Sequence, residues 1–308
     1  AGGGSSTRSE THLTVRAANP PTVETRGGAV EGGQTWTETV VPHGLPGTNE
    51  VHLEVSALPP LNLERRLGEL IRYPHGCVEQ VTSSVFPQLY LPDLVKLTDA
   101  QKAEVEKNIK TGIDRLRAFQ APNGGFVYWP GALSGGPDEW ATNYVGHFLM
   151  EAEKKGYAVP ADMRAEWIKY QKGQAQAWTP GDRWGAIEQS FRLYTLALAG
   201  EAPLGAMNRL KESTGLAPLA QWNLAAAYAL AGQEKAAREL GQATLEPEKY
   251  DSAGPTYGSA LRDRAMILNA LAHLKDLDRG RSLAQSISSD LVAERWLGTH
   301  ETAYALLA

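Results

Sequence analysis

The chain contains one cysteine, Cys77, and a glutamine, Gln80, follows it by three positions. A thiol and a carboxamide at that spacing can condense, with loss of ammonia, into an internal thioester. The product stores a reactive acyl group: Gln80 carries the electrophilic carbon and Cys77 the leaving sulfur. Spacing alone leaves open a plainer reading, in which the lone thiol is a small buried hydrophobe. A single cysteine allows no internal disulfide and no Cys-X-X-Cys metal pair. Apart from His75, the histidines (His12, His43, His52, His147, His273 and His300) are scattered and lack the i,i+4 pairing of a metal centre. No metal and no cofactor is therefore expected.

To bring the thiol onto the carboxamide, the chain must turn tightly into a helix. Pro74 and Gly76 supply the turn, and a helix starting just after them favours the thiolate at its positive end. Glu79, in the first turn, reads as compensation of the helix dipole rather than as a general base. His75 reads as a packing or hydrogen-bonding neighbour, with assistance of acyl transfer as the alternative. A thioester also needs shelter from water. Tyr73, Phe86, Tyr90, Tyr128 and Trp129 are the aromatic candidates, and for Tyr128 and Trp129 plain anchoring of a Gly-rich loop competes with shielding.

Two regimes of chain must supply this geometry. Residues 1–57 are β-rich, with alternating runs at 12–15, 35–41 and 50–55 separated by turn residues at 19–21, 27–28, 32–33 and 44–47. About four strands cannot easily close a core alone, so this part is expected to complete a β-domain lying largely elsewhere. From residue 58 the pattern is helical, with about twelve segments. They are expected near 61–72, 77–92, 99–120, 138–155, 160–176, 184–200, 203–213, 217–231, 233–243, 257–275, 279–294 and 299–308. Segments 193–199 and 222–230 are apolar nearly all round, whereas 101–109 is strongly amphipathic. Fully apolar helices need an outer layer to cover them. The alternation predicts a mainly α fold, an α/α toroid of two concentric layers, with an irregular α-solenoid as the alternative. The Gly/Ser start and the uncapped final helix lead us to expect a piece of a longer protein.

At 42% hydrophobic and 21% charged residues, the composition is that of a globular domain. A net charge of −5 offers no basic field for nucleic acid or anionic lipid, and no apolar run is long enough to insert into a membrane.

Gly76-Cys77-Val78-Glu79-Gln80 resembles the thioester motif of the α2-macroglobulin and complement superfamily. The longer string 73–84, YPHGCVEQVTSS, is most similar to the bacterial α2-macroglobulins, whose usual form is Tyr-Pro-Tyr-Gly-Cys-X-Glu-Gln followed by Thr-Ser. The likeness continues in the Gly-Gly-Phe-X-Tyr-Trp loop at 124–129, in the helix from Trp140, and in 295–304, which resembles the closing Trp-X-X-Thr-Gln-Glu helix. The resemblance implies a thioester domain, an α/α toroid over 58–308, inserted in a CUB-type β-sandwich to which residues 1–57 contribute. It further implies a periplasmic protease inhibitor held to the inner membrane by a lipidated N-terminus outside this chain. A protease would be trapped covalently through a surface lysine amine, and the other domains of the full-length chain would be further partners. It would act as a single-use trap and not as an enzyme.

Two departures qualify this. His75 stands where the family has tyrosine, and no histidine falls in 178–198, the region roughly matching the complement histidine that favours hydroxyl targets. The second favours amines.

Other readings stay open at this stage. One is a thioester-bearing adhesin or opsonin-like tagging protein, and another is a decayed scaffold. A third is an α/α-toroid enzyme with a structural cysteine: a glycosidase using two of Asp138, Glu139, Asp182 and Glu188, or a cysteine protease pairing Cys77 with histidine.

Overall fold

The computed structural model describes residues 3–4, 8–13, 22–24, 26, 30, 32–53, 55, 63–247, 249–250, 256–293 and 297–308. The chain divides into two compact units, Ala1–Leu58 and Pro59–Ala308.

Among the described residues of the first unit, the expected turns at 32–33 and 44–47 form, but no strand does. Gly33 and Gly47 take positive φ, and the Thr48 N–H donates to the Leu45 carbonyl at 3.0 Å. Among the described residues no β-ladder joins 35–41 to 50–53, and Trp36, Val40, Val41, Val51 and Leu53 stay exposed. A ladder needs partner strands and a face to bury. Here the order is local and polar: Arg26 binds Glu24 at 2.8 Å and Glu38 at 2.7 Å. The expected turns at 19–21 and 27–28, and half of the run at 12–15, lie outside the described residues.

The second unit is helical. Its first helices are α1 (Leu63–Leu70), α2 (Val78–Val85), α3 (Leu91–Leu94), α4 (Asp99–Leu116), α5 (Glu139–Lys154), α6 (Ala161–Ala177) and α7 (Arg183–Leu198). There follow α8 (Leu204–Lys211), α9 (Pro218–Leu230), α10 (Glu234–Leu240), α11 (Ala260–His273), α12 (Leu277–Val292) and α13 (Thr299–Leu307). One departure from the sequence reading is instructive. The helix expected over 77–92 breaks into α2, a short 3-10 turn at Pro87–Leu89, and α3. Pro87 and Pro92 have no N–H to donate and cannot sit inside a continuous helix.

Burial sorts the helices into two kinds. In α5, thirteen residues from Trp140 to Ala152 are buried, and α7 and α9 are buried almost as completely. By contrast α6 buries only Met163, Trp167, Gln171 and Ala175, a single stripe at four-residue spacing, and α4 and α12 also bury one side. The buried helices contact one another in succession: α2 with α5, α5 with α7, α7 with α9, α9 with α11, α11 with α13, and α13 again with α2. The one-sided helices lie against this series, α4 on α2, α6 on α5 and α7, α10 on α9, and α12 on α11. Close approach is built in at Gly146 of α5, where an added Cβ would stand 2.6 Å from Trp167 Nε1 and nearer still to its ring carbons.

Side chains at similar depth pair across the buried helices. Ser83, sixth in α2, meets Tyr144, sixth in α5, at 3.0 Å. The Asn143 amide in α5 donates to the Glu188 carbonyl in α7, and the Asn223 amide in α9 to Ser190 Oγ in α7. Thr299 begins α13 and reaches Glu79, near the start of α2. These helices therefore begin at one common end, and Cys77 sits at that end.

Candidate thioester site

Cys77 is the N-cap of α2, free, 4% exposed and extended (φ −73°, ψ 173°). Its backbone N–H donates to Gln80 Oε1 at 3.1 Å. This is the returning half of a capping box, with cysteine in the place usually held by serine or threonine. The carboxamide is thus folded back onto the residue that bears the thiol. Gly76 makes this possible twice over. Its φ is +95°, which side chains disfavour, and an added Cβ would stand 2.9 Å from Gln80 Cδ and nearer still to Oε1. Gln80 is exposed whereas Cys77 is buried.

The Gly-rich loop supplies the wall. The Tyr128 carbonyl accepts from the Val78 N–H at 3.1 Å, which pins the loop to the first turn of α2. The Tyr128 hydroxyl accepts a 2.6 Å hydrogen bond from Tyr257. Burial raises the Tyr128 pKa. Behind the cysteine, Glu79 accepts from Ser83 Oγ at 2.6 Å and from Thr299 Oγ1 at 3.1 Å. His300 packs against Tyr144 and Tyr257 and accepts from Trp140 Nε1 at 3.3 Å. Burial, then Arg262, pushes its pKa well down, so it is neutral.

The other sequence candidates lie at varied distances from this chemistry. Tyr73 and His75 flank the turn and are exposed. Trp129 is 52% exposed and touches the site only through an edge contact with Tyr128. Tyr90 is elsewhere: its hydroxyl donates to Glu151 at 2.8 Å, near the far end of α5. Phe86 is core, against Tyr144, His147, Phe148 and Tyr304. His147 is core too, hydrogen-bonded to Tyr304 and Tyr194, and burial lowers its pKa to about 3. Tyr257, Ser83 and Tyr144 did not stand out in the sequence. No spacing ties Tyr257 to a cysteine 180 positions earlier; only its Tyr-Gly turn hinted at a special backbone, and it has φ +49°.

The acidic candidates form a separate cluster. Asp138 and Asp182 cap α5 and α7, accepting from Ala141 and Gly185. Glu139 pairs with Arg192 at 3.0 Å, and burial followed by the nearby Glu139 pushes Glu188 up to about 8. Among the described residues no His/Cys/Asp/Glu group could hold a metal, and no helix is long and apolar enough to cross a membrane.

Comparison with known proteins bears on the same residues. The family model described as A-macroglobulin TED domain matches residues 54–177, which include Cys77, Gln80 and Tyr128. The Alpha-2-macroglobulin of Escherichia coli (strain K12) is 33% identical over 96% of this chain and 19% of its own length. The chain belongs to the α2-macroglobulin family. Among solved structures, native E. coli α2-macroglobulin from domain MG7 to the C-terminus superposes with a TM-score of 0.68 at 29% identity, covering 82% of this chain and 42% of that one. Salmonella α2-macroglobulin reacted with methylamine gives a TM-score of 0.69 at 29% identity, covering 81% of this chain and 17% of that one. The chain spans about a fifth of the length of its curated α2-macroglobulin relatives (17–20% for three of them). In this α2-macroglobulin chain, Tyr257 and Thr299 lie beyond the matched TED segment, yet they complete the surroundings of a cysteine within it.

Proposed function

We propose that this chain is the thioester domain of a bacterial α2-macroglobulin-like, broad-range protease inhibitor, and that Cys77 and Gln80 form its internal thioester. The observation that carries the reading is the hydrogen bond that folds the Gln80 carboxamide back onto Cys77, made possible by Gly76. It brings the two reacting groups together at a helix N-terminus, where thiolate is favoured. A lysine amine on a protease attacks the Gln80 carbonyl carbon, and Cys77 departs as a thiol. The protein is consumed in one event and acts as a trap, not as an enzyme. Family membership supports the inhibitor role. The lack of histidine in 178–198 supports amines over hydroxyls as targets.

The remaining parts of the reading follow. The closed succession of buried helices supports an α/α toroid, and the exposed apolar runs of residues 35–53 suit a β-sandwich completed by other domains. Tyr128 shields the bond at close range, and Trp129 extends that cover. On this reading the whole protein works in the periplasm, anchored by a lipidated N-terminus, with target proteases and its own other domains as partners.

The test is intact mass. The protein should be one ammonia lighter than its sequence, and methylamine should add its own mass while freeing one titratable thiol. Cys77→Ala should lose both effects. Covalent protease adducts formed by Cys77→Ala would overturn the mechanism.

A further inference from the structure

Glu79 does more than offset the dipole of α2. Three hydroxyl residues follow one another in that helix, and they divide. Thr82 Oγ1 donates to the Val78 carbonyl at 2.7 Å and Ser84 Oγ to the Gln80 carbonyl at 2.6 Å, the usual back-bond to the preceding turn. Ser83, between them, turns instead to the Glu79 carboxylate at 2.6 Å. Its one hydrogen is used there, so the buried Tyr144 hydroxyl, 3.0 Å away, donates to Ser83 Oγ. From α13, Thr299 Oγ1 donates to the same carboxylate oxygen at 3.1 Å. The start of α13 is closed separately, by Glu301 Oε2 accepting the Gly298 N–H at 2.8 Å. Glu79 is thus gripped from α5, through Ser83, and from α13.

From these bonds we infer that Thr299, acting through Glu79, is a positioning residue for the Cys77–Gln80 pair. The inference rests on the thioester reading above. Helix α2 is only eight residues long, and the first N–H groups of any helix lack partners within it. A helix this short is held by its neighbours, and its end frays unless something grips it. Cys77 stands two residues before Glu79 and Gln80 one residue after, so both reacting groups ride on the turn that Glu79 anchors. When the thioester closes, Cys77 Sγ bonds to the Gln80 carboxamide carbon and the carbon–nitrogen bond breaks. The nitrogen leaves with the thiol proton as ammonia. Glu79 and Thr299 exchange no proton in this step; they hold the turn still while it happens.

The test follows ammonia loss by intact mass, over time, in protein made by cell-free synthesis. A wild type that stays at full mass would sink the thioester reading, and this inference with it. Thr299→Val keeps the shape and removes the hydroxyl, so bond formation should slow by about fivefold. The melting temperature should barely move, because Thr299 is exposed. Thr299→Ser should restore the wild-type rate. Thr302→Val is the control, since it removes a hydroxyl bond on the same turn of α13, to the Gly298 carbonyl, without touching Glu79. Glu79→Ala should slow formation at least as much as Thr299→Val. Adding Thr299→Val to it should slow formation no further, since Thr299 acts only through Glu79. A wild-type rate in Thr299→Val, equal slowing in Thr302→Val, or additive effects in the double variant would overturn the inference while leaving the thioester itself intact.

Discussion

Gly76→Ala is the most informative single substitution, because one methyl group strikes both the fold and the chemistry. At φ +95° an L-residue is strained by about 1–2 kcal/mol. The new Cβ would stand 2.9 Å from Gln80 Cδ and closer to Oε1, so the carboxamide must leave its place over Cys77. The buried Cys77 N–H then loses its acceptor, which costs about 1–3 kcal/mol more. The sum is about 2–5 kcal/mol, or a melting-point loss on the order of 4–20 °C for a domain of this size. More telling is the chemistry: intact mass should show no ammonia loss, and methylamine should release no thiol. Gly146→Ala is the matched control. Its Cβ strikes Trp167 instead, so it should lower the melting temperature while the surviving folded protein still forms the bond. Thermal denaturation and mass spectrometry on the three proteins decide the matter. If Gly76→Ala formed the thioester in wild-type yield, the capping geometry would not be what brings the two groups together.

Two further outcomes are expected. Glu188 is raised to about 8, so it binds its proton more tightly in the folded state than in the unfolded one. That contribution to stability is fully present below the unfolded carboxyl range and is lost as pH rises through about 8; melting temperature should fall across that window, and Glu188→Gln should flatten the profile. The Arg262–Asp263 pair is wholly buried, with Asp263 also accepting from Tyr250 at 2.7 Å. Asp263→Ala strands the guanidinium over the Trp140 ring and should cost about 3–5 kcal/mol in urea denaturation.

How far the sequence foretold this molecule depends on the range of the signal. Helix periodicity and caps are local, and segments such as 138–155 and 184–200 appear as α5 and α7 within a residue or two. Pro87 was visible but was read through, although its missing N–H ends α2. The Cys77–Gln80 cap was legible because its partners are three apart. Tyr257 and Thr299 were not, since only packing of distant helices brings them to residue 77. Tyr90 misled for the converse reason: it is near the cysteine in sequence, but the break at Pro87 sends it toward Glu151. The strands expected in 35–55 show alternation without a ladder, because strand pairing depends on partners that a pattern within one segment cannot name.

The contact between Thr299 and Glu79 spans 220 positions, nearly the whole length of the helical unit. It joins the last helix to the first turn of the one that carries the cysteine. A ribosome must therefore have released almost the entire unit before Glu79 can gain its second hydrogen bond. Tyr257, 180 positions after Cys77, arrives almost as late. The thiol and carboxamide thus meet early, while the contacts that Tyr257 and Thr299 make beside them form near the end. The order of synthesis thus leaves the surroundings of the cysteine incomplete until the domain is nearly whole.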